Sequence, residues 1–283
     1  MPGISFSLFF PDGSPDGLRL LEKSNWTGYG VFCPRPVFAE AKSRDEFDRT
    51  GVYVLLGSSG QGVLPEVYIG QGDPIRPRLE QHQRNIDFWT AAICFTSMDT
   101  NLQTTHALYL ESRLVGLAKA AKRCKLNNKN TPQLPTISEV GANYAEVFLA
   151  EMLLCFPVLG VTIFETAPEP TQTGTKLYFT AAGTSATGRE SANGFVVLAG
   201  STVREEVLDS MPASLRGLKK ELIANGVISP GSAGLQFTQD YEFSSPSQAA
   251  SLIQGASADG RKGWKDANGR TLKQIQEASA GAP

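Results

Sequence analysis

Arg78 and His82 stand four residues apart, so a helix that carries them aims both side chains to one side. Arginine's fork matches phosphate oxygens and its charge does not titrate away, which suits it to hold a phosphodiester. The same pair would equally serve as a surface arginine beside a rim histidine. Glu111, if helical, shares a face with Ala107, Leu108, Leu114 and Val115. Periodicity alone makes a solvated glutamate the commoner outcome. The alternative is a carboxylate turned to the core side rather than to bulk water, and carboxylate oxygen is what a hard cation takes. Magnesium takes oxygen ligands and keeps most of its waters, so one carboxylate and a substrate phosphate suffice. Phosphodiester hydrolysis requires that charge stabilisation together with an activated water. Tyr53 and Tyr68 complete the set. A free phenol, with a pKa near 10, is too weakly ionised to act as a base at neutral pH unless neighbours lower that pKa or relay its proton. Two aromatic residues packed on a sheet would carry the same letters.

The elements that must position these groups are readable around them. Gly51 to Leu56 and Val67 to Gly70 are apolar runs of strand type, joined by the glycine-rich stretch Gly57 to Gly62. Pro74 suits a helix first turn, with Asp73 as its N-cap, and that helix would carry Arg76, Arg78, Leu79, His82 and Gln83. Phe88 to Phe95 reads as a third strand, and Leu102 to Cys124 as a long helix with an apolar face. Ahead of them, Ile4 to Phe10, Leu18 to Ser24 and Val31 to Phe32 suggest a small β element. A second helix is expected from Ser138 to Leu154. The Pro- and Thr-rich stretch Thr166 to Thr175 is the best linker. Beyond it, Leu177 to Thr180, Gly194 to Leu198 and Gln236 to Phe243 read as strands, and Leu215 to Ala224 and Ser247 to Gln254 as helices.

Composition bounds the classes. The 283 residues are 41% hydrophobic and 19% charged, with a net charge of −2, as in an ordinary globular protein. That charge is no signature of a nucleic-acid binder, yet a small basic cleft would survive the average. Four scattered cysteines and two histidines offer neither a zinc ribbon nor a disulfide framework, and buried free thiols are expected. No apolar run is long enough for a membrane span, and the start lacks a basic leader, so a cytoplasmic location is expected. Arg261, Lys262, Trp264, Lys265 and Arg270 interleave charge with an aromatic, as either a stacking surface for nucleic acid or a solvated terminal segment.

Gly51-Val52-Tyr53 followed by Tyr68-Ile69-Gly70 resembles the paired motif that names the GIY-YIG nucleases. Arg78, His82, Glu111 and the pair Asn127-Asn128 follow in that family's order and spacing, and Thr131 to Pro135 is similar to a bacterial branch. Val52 replaces an isoleucine, a change of one methylene. The order of these residues reverses the weighting at Glu111. The resemblance implies an α+β fold, with a three-stranded antiparallel sheet flanked by helices as the nuclease domain over 50–165. A β-rich extension at 1–49, a linker at 166–176 and a separate α+β domain at 177–283 complete the expected organisation. The last resembles a domain of unknown function often found behind such nucleases, through Gly194 to Leu198, Asp240-Tyr241, Phe243 to Ser247 and Gly263 to Lys265.

The implied activity is metal-dependent endonucleolytic hydrolysis, of DNA before RNA, in a setting such as restriction or phage defence. Tyr53, Tyr68, Arg78, His82 and Glu111 are the implied catalytic residues, with Tyr53 as base and Tyr68 as orienter. Glu111 is the implied ligand of Mg²⁺ or Mn²⁺. Gly70, Arg76, Asn127 and Asn128 are expected on the substrate side: Arg76 as a non-specific backbone contact, and one asparagine, Asn128 by preference, as a brace. Cutting both strands of a duplex would favour a homodimer, and the C-terminal domain would offer a surface for a protein partner. The alternatives are a nucleic-acid-binding protein whose nuclease fold no longer cuts, and a nuclease directed at RNA.

Overall fold

The computed structural model describes residues 3–57, 64–165 and 175–280. The chain divides into two compact units, the first ending at Phe164 and the second taking the chain from Glu165. Both mix helix and strand. The glycine-rich connection at 58–63 and most of the linker, 166–174, lie outside the described residues.

The first unit contains β1 (Phe6–Phe9), β2 (Arg19–Lys23), β3 (Gly28–Pro34), α1 (Phe38–Ala41), β4 (Gly51–Gly57), β5 (Glu66–Gly72), α2 (Arg76–Asn85), β6 (Trp89–Ser97), α3 (Thr104–Ala121), β7 (Lys125–Leu126) and α4 (Glu139–Val158). Its strands form one sheet in the order β1-β2-β3-β6-β4-β5-β7, seven strands among the described residues. The expected trio β4, β5 and β6 is therefore the middle of a wider sheet, and the strands of 1–49 are part of it. β3 pairs antiparallel with β6 from Gly28 opposite Ser97 to Pro34 opposite Ala91. Without that partner β6 would leave a row of unpaired peptide groups at an edge.

β4 is apolar throughout because it is covered on both faces. Val52 and Val54 point into a core shared with Leu110, Leu114 and Val115 of α3 and with Phe148, Leu149 and Met152 of α4. Tyr53 and Leu55 point the other way, into a core with Leu79 of α2, Trp89, Phe38 and Phe47. Trp26 closes its turn by packing on Phe148, ring centroids 4.9 Å apart. Ser138 caps α4 by accepting the Gly141 N–H at 3.1 Å. The four cysteines, all in this unit, are buried free thiols.

Asp73 is not a helix cap. Helix α2 begins after Ile75 with no side-chain cap, and the Asp73 carboxylate instead accepts the hydroxyls of Thr50 and Thr104. It thereby ties the start of β4 to the start of α3. His106 takes the Gln103 N–H on Nδ1 at 3.2 Å and so caps α3.

The second unit holds β8 (Leu177–Ala181), β9 (Thr184–Ser191), β10 (Gly194–Val197), β11 (Thr202–Val203), α5 (Ala213–Ala224), β12 (Ile228–Gly231), β13 (Gly234–Phe237), β14 (Tyr241–Phe243), α6 (Pro246–Gln254), α7 (Gly260–Gly263) and α8 (Leu272–Ala280). One sheet runs β14-β10-β9-β8 and another β11-β13-β12. The single strand expected over Gln236 to Phe243 is thus two strands in different sheets. Trp264 is fully buried, its ring 4.5 Å from that of Phe195 and its Nε1 donating to the Pro246 carbonyl at 3.1 Å. A tryptophan so placed anchors a core, which removes the stacking surface that its basic neighbours suggested.

Candidate active site

The tyrosines meet because of the register between β4 and β5. Tyr53 lies opposite Gly70, and Leu55 opposite Tyr68. Tyr68, two residues from Gly70, is therefore the diagonal neighbour of Tyr53 on the same face, a relation that long side chains can bridge. Their rings stack with centroids 6.4 Å apart. Gly70 is what makes this possible: a Cβ there would come within 2.4 Å of the Tyr53 hydroxyl.

Helix α2 covers this face and brings His82 to both rings. Tyr53 Oη and His82 Nε2 are hydrogen-bonded at 2.7 Å, and the Tyr68 and His82 ring centroids are 4.8 Å apart. Tyr53 is only 2% exposed. Tyr68, His82 and Glu111 line a common cavity of about 690 Å³. Glu111 comes from α3, on the other side of the sheet from α2, so the cavity sits where side chains of the two layers meet.

Past Val67, the outer edge of β5 is no longer bordered by β7, whose pairing covers only Glu66 and Val67. Asn128 takes over. Its Nδ2 donates to the Ile69 carbonyl at 2.7 Å and its Oδ1 accepts the Ile69 N–H at 2.9 Å. One side-chain amide stands in for a peptide of the missing strand and fixes the residue between Tyr68 and Gly70. Asn127 donates its backbone N–H to Val67 at 2.7 Å and lines the cavity. Both asparagines line the cavity, but the Asn128 amide is committed to bracing the strand.

Arg78 does not line that cavity. It borders a separate depression of about 400 Å³ with Gln71, Gln81 and Thr104. Its field nevertheless reaches all four other groups. Burial raises the Tyr53 phenol well above its ordinary value, Tyr68 adding to the effect and Arg78 opposing it. Burial, then Glu111, raises Tyr68 against Arg78. Burial, then Arg78, lowers His82. Glu111 is raised by burial, again opposed by Arg78. Arg76 is elsewhere: it is held by Asp48 at 2.6 Å and by the Arg44 carbonyl, because its place on α2 points it back to the segment before β4.

Phe88, Lys129, Asn130 and Pro132 line the same cavity and were not among the expected site residues. The run Asn127 to Asn130 was the available signal, being polar and directly behind a long helix. Another hollow, of about 420 Å³ beside Tyr29, has its cations committed. Arg44 is bonded twice to Glu46, and Arg49 donates to the Ser97 carbonyl.

Among the described residues, no group of three or more His, Cys, Asp and Glu side chains converges as a metal cage. A hard cation held mainly by waters and substrate oxygens needs no such cage, and the partly buried Glu111 carboxylate on the cavity wall fits that demand. No helix among the described residues is long and apolar enough to cross a membrane.

A family model described as a domain of unknown function (DUF4357) matches residues 177–276. No curated protein and no solved structure matches the chain.

Proposed function

We propose that the first unit is a metal-dependent endonuclease of the GIY-YIG type that hydrolyses phosphodiester bonds, in DNA before RNA. The observation that carries the reading is the meeting of Tyr53, Tyr68 and His82 on one sheet face, within the fields of Arg78 and Glu111. The β4-β5-β6 core with α2 and α3 on opposite faces supports the corresponding fold.

The roles follow from the chemistry of each group. A buried phenol with a raised pKa is a poor resting base, but it can pass a proton on. As Tyr53 Oη accepts the proton of the attacking water, it gives its own to Nε2 of His82. The depressed pKa of His82 keeps it neutral and ready to accept at pH 7. Tyr68, open to the cavity, orients the water. Arg78 binds the phosphoryl oxygens and stabilises the charge that grows on them. Glu111 would hold Mg²⁺ or Mn²⁺, which when bound adds charge stabilisation at the phosphate. Asn128 is a positioning residue that acts through the backbone of β5.

Labelled single- and double-stranded DNA and RNA, incubated with Mg²⁺, Mn²⁺ or EDTA, give the direct test. Cutting is expected with either metal and none with EDTA. Glu111→Gln should abolish cutting while metal-free binding holds or rises slightly, because a negative charge near phosphate has gone. Arg78→Ala should weaken binding and slow the chemical step on the order of 10²–10³-fold. Wild-type cutting rates in Glu111→Gln, or binding without cleavage on every substrate, would overturn the reading. The latter result would leave a nucleic-acid-binding protein.

A further inference from the structure

We propose that the cavity beside Tyr68 and Glu111 is a nucleobase subsite, so that the substrate presents an unstacked base next to the cleaved phosphate. The inference rests on the nuclease reading for the neighbouring groups and assigns the rest of the cavity. At about 690 Å³ it falls in the range of small-molecule pockets, about 300–1,000 Å³.

Its charge is wrong for a phosphate groove. Lys129 is the one Lys or Arg among its described lining residues and stands against Asp87 and Glu111. A track for the phosphodiester backbone would carry the opposite balance. What the walls do offer suits a flat, uncharged group with a polar rim. The partly buried Phe88 ring and Pro132 supply apolar surface for a face. Asn127 and Asn130 supply carboxamides, each pairing a donor with an acceptor as the edge of a base does. Those amides and the Lys129 ammonium make no side-chain hydrogen bond or ion pair among the described residues.

The polar wall is also held in place. Asn127 and Asn128 are bonded to β5, and Ser112 Oγ donates to the Pro132 carbonyl at 3.0 Å. The backbone is thus fixed at both ends of the wall, which keeps the unengaged amides of Asn127 and Asn130 beside the cavity. A base inside an intact duplex cannot reach such a recess. Single strands and mismatched duplexes, in which a base is already free or cheaply extruded, are the substrates it selects.

The test uses the full-length Glu111→Gln protein in EDTA at fixed salt, so that nothing is cut. The probes are a labelled single strand and a strand of equal length made abasic throughout, in deoxy and ribo forms. The base-bearing strand should bind at least about 10-fold more tightly. Phe88→Leu and Asn130→Ala should each weaken it, the aromatic change on the order of 5- to 100-fold, and leave the abasic strand unaffected. Asn130 is exposed, so its variant decides the matter if Phe88→Leu fails to fold. Equal affinity for the two strands, or equal weakening of both by the variants, would overturn the proposal. Wild-type protein with Mg²⁺ on the same strands reads the nuclease separately. Base-dependent binding without cutting would overturn the nuclease and keep the subsite, and cutting without base dependence would do the reverse.

Discussion

His82 is the residue on which the proposed proton path turns, and its environment makes a prediction that needs no activity. Burial lowers its pKa first and Arg78 lowers it further, so the protonated form appears only as pH falls below the ordinary histidine value of about 6.5. With only two histidines in the chain, a proton NMR titration should resolve His82 below that value. Arg78→Ala should move its midpoint upward while burial still holds it down. A cutting rate that depends on neutral His82 should be flat above about pH 6.5 and fall on the acid side. An unchanged midpoint in Arg78→Ala would mean that the two residues do not share a site. Much of this was legible in the sequence because the i, i+4 relation of Arg78 and His82 is local. The burial of Tyr53 was not legible, since it depends on what α2 and the segment before β4 place over it. Arg76 shows the same limit: its partner Asp48 is 28 residues away, and no periodicity reveals that pairing.

At the scale of elements, β5 depends on a side chain for its outer edge. Asn128→Ala would leave the Ile69 N–H and carbonyl unpaired in a partly buried setting, at a cost on the order of 1–3 kcal/mol. Asn128→Asp keeps an acceptor for the N–H and sets a carboxylate against the carbonyl, so it should not rescue the loss. Denaturant unfolding measures the cost, and faster amide exchange at Ile69 would locate it. Unchanged exchange would remove Asn128 from its bracing role. The strands β4, β5 and β6 and the helices α2, α3 and α4 announce themselves through their sequence patterns, and α4 also through its Ser138 cap, whereas the cap expected for α2 is absent. The joining of β3 to β6 does not, because backbone pairing between distant segments leaves no mark on side-chain pattern. The short pairing of β7, which leaves Asn128 its task, is invisible for the same reason.

At the scale of the molecule, each unit has its own sheets and core, so the second should stand alone. A fragment from residue 175 onward should unfold cooperatively, with Trp264, its one tryptophan, emitting as a buried indole until the transition. Limited proteolysis of the full chain should cut within 166–176, on the strength of that stretch's Pro- and Thr-rich composition. Cleavage inside 177–276 at an equal rate would deny the fragment its independence. Trp264 also marks where sequence reading misleads. Charges around an aromatic look like a binding face until three-dimensional packing shows the ring turned inward against Phe179 and Phe195.

The placement of the cysteines gives the molecule a chemical clock. Burial pushes Cys33, Cys124 and Cys155 up to about 12, and raises Cys94 well above the ordinary thiol value. At pH 8 only about one thiol in ten thousand of the first three is then a thiolate. Alkylating reagents should therefore wait for the core to open, and each modified mass counts an opening of the first unit, since all four thiols lie there. Trp264 fluorescence reports the second unit alone among the tryptophans. Mass labelling of the full chain and emission of the fragment from residue 175 onward, each followed in rising denaturant, should time the two units separately. The fragment is needed because Trp26 and Trp89 of the first unit also emit in the full chain. Rapid labelling of all four cysteines in native buffer would show that the first unit opens far more readily than its packing implies.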